Sequence, residues 1–240
     1  MQLRLVVLLL GTLFAGAAST WAHRPILSDG SARDAATALH VADPGLSQVV
    51  YHEVTRESPQ LWLAFDLEAG QSLYFQLGVP VIERLADYRP ALALIGPGLP
   101  ATDLPLAIPG GLGAQQFTVD PGEVREFYEP FSGTSSWILM THTVPVATAG
   151  RYYLVAYDPA GQPGKLWVAV GRREEFGLND ILTLPEVLAR VREFHETEAT
   201  RPGVPCLMAP MTMSLVGLYG WSAVRRRAIR HNTPGRRRRL

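Results

Sequence analysis

Cysteine is almost absent: the 240 residues contain one, Cys206. A lone thiol excludes an intramolecular disulfide and a cysteine-rich zinc site, so a folded region must rest on its hydrophobic core. The usual marks of catalysis are missing too. There is no Gly-x-Ser-x-Gly, no His-Glu-x-x-His and no glycine-rich phosphate loop. Glu193-Phe194-His195-Glu196 supplies one histidine and is no metal pair. Acidic residues are absent from the last 16 positions, which hold eight arginines. All 22 acids lie between His23 and Gly203, with only 13 of the 22 lysines and arginines, a net charge of −9. An acidic body repels phosphate, which argues against nucleic acid as a partner. Charge separated into blocks points to two compartments, or to a tail that meets something anionic.

What is present begins with the two ends. Arg4 precedes an apolar run from Leu5 to Phe14, broken only by Gly11 and Thr12, and small residues follow at Ala15, Gly16, Ala17 and Ala18. This is the pattern of a signal peptide, and the run is too short to span ~30 Å of hydrocarbon. Residues 1–22 are expected to be that signal. Cleavage after Ala17 gives the better small-x-small match, and cleavage after Ala22 would leave His23 as the new N-terminus. At the other end, residues 204–224 carry no charge and meet Arg225, Arg226, Arg227 and Arg230. As a helix, that segment would be about 31 Å long. Arginines beyond an apolar span mark the cytoplasmic side, so the expectation is one transmembrane helix, an extracytoplasmic domain and a cytoplasmic tail at 225–240. Pro205, Pro210, Thr212, Ser214, Gly217 and Gly220 dilute the span. Its layout also resembles bacterial C-terminal sorting signals, although Val204-Pro205-Cys206 stands where the Pro-Glu-Pro type has its motif.

Between the ends, from Gln48 to about Gly171, the dominant period is two. Leu61, Leu63, Phe65 and Leu67 alternate with Trp62, Ala64 and Asp66; Leu73, Phe75 and Leu77 alternate with Tyr74 and Gln76. Further runs are Ala91 to Ile95, Trp137 to Val144, Tyr152 to Tyr157 and Leu166 to Val170. Gly/Pro turns separate them, among them Gly96-Pro97-Gly98 and Asp158-Pro159-Ala160-Gly161. Short alternating strands without intervening helices predict an all-β antiparallel sandwich or jelly roll over residues 23–175.

Pro59 to Leu73, with its alternating strand and Ala69-Gly70 turn, resembles the first hairpin of bacterial pre-peptidase C-terminal domains. Pro90 to Leu94 is similar to their middle strand, and Thr148 to Tyr157 followed by Gly164 to Val170 to their closing hairpin. The resemblance covers about 110 residues; Asp87-Tyr88-Arg89-Pro90 and the insert from Gly96 to Ser136 depart from it. It implies an accessory or binding module on an exported protein. Next comes Thr183-Leu184-Pro185-Glu186, which reads as a capping box opening an amphipathic helix within 176–203. Its apolar stripe is Leu184, Val187, Leu188, Val191 and Phe194, it ends near Glu198, and Ala199 to Gly203 link it onward.

The candidate sites are few. Glu126 to Trp137 is read as a long loop that combines Phe127, Tyr128, Phe131 and Trp137 with Glu126, Glu129 and four serine and threonine residues. Such a mixture suits a glycan or an envelope protein. A sugar-active enzyme would use Glu126 and Glu129, although nothing in their spacing shows acid/base geometry. A copper site would combine the free amine and ring of His23 with His40, His52 or His142. The reading chosen is a membrane-anchored, non-catalytic binding or interaction module without a cofactor, its ligand-binding candidates being Phe127, Tyr128, Glu129, Phe131 and Trp137.

Overall fold

Alternating side chains build two facing sheets. The computed structural model describes residues 24–175 and 178–197. They form β1 (Arg24–Leu27), β2 (Leu39–His40), β3 (Gln48–Val54), β4 (Gln60–Leu67), β5 (Ser72–Pro80), β6 (Ala91–Gly96), β7 (Gly113–Phe117), β8 (Arg125–Glu129), β9 (Thr134–Pro145), β10 (Gly150–Tyr157), β11 (Gly164–Val170), one α-helix, α1 (Leu178–Phe194), and two short 3-10 turns at Glu83–Leu85 and Pro121–Glu123. One sheet has the order β1-β3-β11-β5-β9-β8, the other β2-β4-β10-β6-β7.

The sandwich is as expected, but it is not wholly antiparallel. β1 runs parallel to β3, and β2 parallel to β4. Their alternation explains it: β1 joins one sheet, β2 the other, and the chain then returns to each in turn through β3 and β4. Parallel neighbours need such crossovers.

Leu61, Leu63, Phe65 and Leu67 point inward, with Leu73, Phe75 and Leu77 of β5, Leu154 of β10 and Val168 of β11 in one buried cluster. Each large apolar side chain buried this way contributes ~1.5–3 kcal/mol. The opposite face of β4 is buried as well. Trp62 packs with Ala93, Ile95 and Val155 beneath Leu104, Leu106 and Ile108. The segment after β6 is therefore a roof over the five-stranded sheet. On the outer face of the six-stranded sheet, Val49, Ile138, Trp167 and Ala169 cluster around Tyr51. The ring of Tyr51 meets Phe194 and His195 edge-on, at 5.2 and 5.8 Å between centroids.

The helix begins earlier than the capping-box reading places it. It starts at Leu178, so Pro185 lies in its interior, where it removes one backbone hydrogen bond. Residues three apart share a helix face in the interior as well as at a cap, so the spacing of Thr183 and Glu186 does not distinguish the two. The helix ends at Phe194, and Glu196 takes a left-handed φ of 54°. Its amide bonds the Glu193 carbonyl at 3.0 Å.

Among the described residues no helix is long and apolar enough to cross a membrane. The expected signal peptide at 1–22, His23, the link at 199–203, Cys206, the apolar span at 204–224 and the arginine tail at 225–240 lie outside the described residues.

Candidate functional site

The segment read as a long loop is a hairpin. β8 pairs antiparallel with β9 across the turn at 130–133, joining Arg125 to Ile138, Glu126 to Trp137, Phe127 to Ser136, Tyr128 to Ser135 and Glu129 to Thr134. Gly133 closes the turn with φ of 71°, a conformation that a side chain resists, and its amide donates to the Glu129 carbonyl at 2.8 Å. β8 is the last strand of its sheet. Edge strands have one open row of backbone donors and acceptors.

This strand also displays the aromatics. Phe127 is 39% exposed and Tyr128 59%; with Val81 they are the exposed large hydrophobic side chains among the described residues. Alternation sends neighbouring side chains to opposite faces. Phe127 shares a face with Ser136, towards Trp167 and His195, while Tyr128 shares the other with Trp137 and Ser135. Trp137 is half-buried and packs on the cluster of Val79, Leu85, Tyr88 and Leu139. Phe131, half-buried, belongs to the turn. The five candidates thus lie in one hairpin without sharing one surface.

The same alternation separates the two carboxylates. Glu126 and Glu129 are three residues apart on one strand, so they stand on opposite faces. They cannot flank one glycosidic bond, and the sugar-active reading loses its acid/base pair. Glu129 is half-buried, and one of its oxygens accepts from the Phe131 amide at 3.0 Å. Burial, and then the nearby charge of Glu174, push its carboxyl up from the usual range.

Behind Phe127 lies a polar network that the sequence reading missed. The Trp167 indole N–H donates to Ser136 Oγ at 3.0 Å, and Ser136 Oγ stands 3.0 Å from His195 Nε2. His195 Nδ1 is 2.8 Å from the Val191 carbonyl, which can only accept. Nδ1 therefore carries the proton, and Nε2 accepts from Ser136. A serine bonded to a histidine invites a catalytic reading. Yet Ser136 is 6% and His195 5% exposed, and the hydroxyl is already held by the indole. The network fastens α1 to the sheet. Lys165 completes it, donating to the Phe194 carbonyl at 3.1 Å and pairing with Glu196 at 2.8 Å, while Arg84 also pairs with Glu196. Arg192 Nε donates to the Ser132 carbonyl at 2.6 Å, tying the helix to the hairpin turn.

His40, His52 and His142, each an alternative copper partner of His23, stand in three separate settings, and His23 itself lies outside the described residues. His40 is exposed on β2 and meets Asp66 at 3.1 Å, where Arg151 forms a two-pronged ion pair. His52, on the other sheet, is 1% exposed, its ring nitrogens 3.2 Å from Ser28 Oγ and 3.2 Å from the Ser58 carbonyl. Nε2 faces a carbonyl and therefore carries the proton, and the lone pair on Nδ1 is taken up by the Ser28 hydroxyl inside a buried site, so neither ring nitrogen is open to a metal. His142 lies against the rings of Phe117 and Phe75, at 4.8 and 5.7 Å. Among the described residues no three His, Cys, Asp or Glu side chains gather as a metal site. A cleft of about 520 Å³ beside His52 is lined by Asp29, Arg33, Glu53 and Glu57. Asp29 there is committed to the amide and hydroxyl of Ser31.

No protein-family model matches the chain, and no curated protein matches it. Solved structures of low similarity do. The periplasmic inhibitor of g-type lysozyme from Aeromonas hydrophila is 13% identical, over 62% of this chain and 98% of that one, with a TM-score of 0.33. A pre-peptidase C-terminal domain, the kind that the β4–β5 and β10–β11 segments resemble, is also among them, although neither segment is the expected hairpin, since β4 and β10 lie in one sheet and β5 and β11 in the other. That domain comes from the collagenase of Bacillus anthracis and is 8% identical over 55% of this chain and 91% of its own, with a TM-score of 0.29. The surface-associated copper-binding protein of Methylomicrobium album BG8 is 9% identical over 63% and 99%, with a TM-score of 0.28. Likeness this loose says nothing about a ligand.

Proposed function

We propose that the chain is an exported, membrane-anchored, non-catalytic interaction module that recognises a protein through the β8 edge. Signal peptide, apolar span and arginine tail support the placement: domain outside, tail inside. The exposed aromatics of β8, on opposite faces of an edge strand, carry the functional reading. A glycan stacks on aromatic faces gathered on one side. An added strand lies in the plane of the sheet and touches both faces at once, while its backbone satisfies the open row. β8 has the geometry for the second kind of guest.

The experiment places a photo-crosslinking amino acid at Tyr128 in the full chain, in the cells that make it, with Asp66 on the other sheet as the control position. Discrete adducts from 128 and none from 66 are expected. Equal labelling from both positions, or none from 128, would remove the edge from the proposal.

A further inference from the structure

We infer that the strand added to β8 is β8 of a second copy of this chain, joined antiparallel about Phe127. The inference rests on β8 being the contact edge and names its partner.

The charges of Arg125-Glu126-Phe127-Tyr128-Glu129 decide the register. A twofold pairing centred on Phe127 sets Arg125 opposite Glu129 of the second copy, twice, and Glu126 opposite its Tyr128. Shifting the sum of paired positions by one sets Glu126 against Glu129 or strips Arg125 of a carboxylate; centring on Glu126 or Glu129 sets like charge against like. Like charges directly opposite oppose strand pairing and unlike charges favour it. Opposed residues must both turn their backbone groups towards the partner or both away, which leaves only even sums of paired positions, and of these only the Phe127-centred register gives both arginines a carboxylate with no acid facing an acid. A twofold contact of this kind is closed, so it ends at a dimer.

The structure makes room for that contact. Arg125 and Glu129 have no ion-pair partner among the described residues, although Glu129 is half-buried beside Glu174. A guanidinium arriving from the second copy would meet an uncompensated acidic spot. The Glu129 carbonyl faces β9, where it accepts from Gly133. By alternation the backbone groups of Glu126 and Tyr128 point outward, and the Phe127-centred register pairs those two positions with each other. β8 has no lysine, proline or register break, and the three charges on its five residues, which would keep an unmatched strand away, meet no like charge in the Phe127-centred register.

Phe127 would then face its own copy across the axis, as a non-hydrogen-bonded pair with Cα atoms about 4.5 Å apart, within disulfide reach. The test uses the full chain with Cys206→Ser, so that one introduced thiol is the sole cysteine. Phe127→Cys should form a dimer on mild oxidation of native membranes, and Glu126→Cys and Tyr128→Cys should form at least tenfold less. In the Phe127→Cys background, Arg125→Glu or Glu129→Arg alone should abolish the dimer and the two together should restore it. Equal cross-linking from 126, 127 and 128 would mean random collision and overturn the inference, as would a double reversal that fails to restore. If Phe127→Cys gives no dimer while the photo-crosslinker at 128 still marks another protein, the edge stands and the second copy falls. If 128 marks nothing, the edge falls as well.

Discussion

The indole of Trp167 lies across Gly78 of the neighbouring strand, so closely that a Cβ at position 78 would stand 2.0 Å from the ring. The glycine is there for space, and what it admits is the N–H that holds Ser136. Gly78→Ala should push the indole off its seat and break that bond. Overpacking of this kind costs ~1–3 kcal/mol. In a chain of this size each kcal/mol lowers Tm by ~2–4 °C. Trp167→Leu should absorb much of the penalty in the double variant, and a double-mutant cycle by thermal melting checks it. Additive losses would show that the two positions do not press on each other.

A second prediction concerns pH. Burial, the leading cause in both, lowers the basicity of His52 and His195; Lys165 adds to the effect on His195. Unfolded, each imidazole takes a proton near pH ~6.5, but the folded protein resists protonation to lower pH. Below about 6.5 the unfolded state therefore binds more protons, so stability falls as pH falls. Glu129, whose carboxyl is raised, acts in the opposite sense closer to the carboxylate range. Tm should hold between about pH 8.5 and 7.5 and drop towards about pH 5.5, with a flatter profile in His195→Gln. A wild-type profile that stays level over this range would mean that the two rings are not held neutral in the fold.

The strands that could be read in advance are those with one clear buried face. β4, β5, β10 and β11 combine alternation with Gly/Pro turns, and each runs where those marks place it. β1 is four residues, Arg-Pro-Ile-Leu, and β2 only two, so neither has length for a period to show. β8 was hidden for a different reason: four of its five residues are exposed, so hydrophobicity does not alternate along it. Pro130, Gly133 and the hydroxyl residues then made the stretch look like a loop. The aromatic residues themselves were legible there, but their division between two faces depended on pairing with β9. Ser136 and His195 are 59 residues apart, and their bond follows from where α1 docks, which no local spacing records.

Tyr152 offers a test of how the sandwich ends are tied. Its hydroxyl lies 2.7 Å from the Pro97 carbonyl and 2.8 Å from that of Thr148, joining the turn after β6 to the one before β10. The ring fits because position 96 is glycine; a Cβ there would be 2.0 Å away. Tyr152→Phe keeps the ring and removes the donor, a loss of ~0.5–1.5 kcal/mol. Denaturant unfolding should show that loss in the midpoint with an unchanged slope. A larger loss, or a changed slope, would mean that the hydroxyl does more than bridge the turns.

The last prediction separates contact from stability within the hairpin. Phe127 and Tyr128 are exposed, and each has an exposed neighbour on its own strand, so little folding energy rests on them. Phe127→Ser and Tyr128→Ser should move stability by no more than ~0.5 kcal/mol, as surface changes do. Trp137, half-buried against Val79, Leu85 and Leu139, is different. Trp137→Ala should cost roughly half of the ~3–5 kcal/mol seen for fully buried aromatics. The same three variants, followed for photo-crosslinking from position 126, should rank in another order. The two serine variants lose adducts while folding normally, and the alanine variant keeps them until it unfolds. If adduct loss instead tracks Tm across all three, the aromatics serve the fold, and the edge has no claim to a partner.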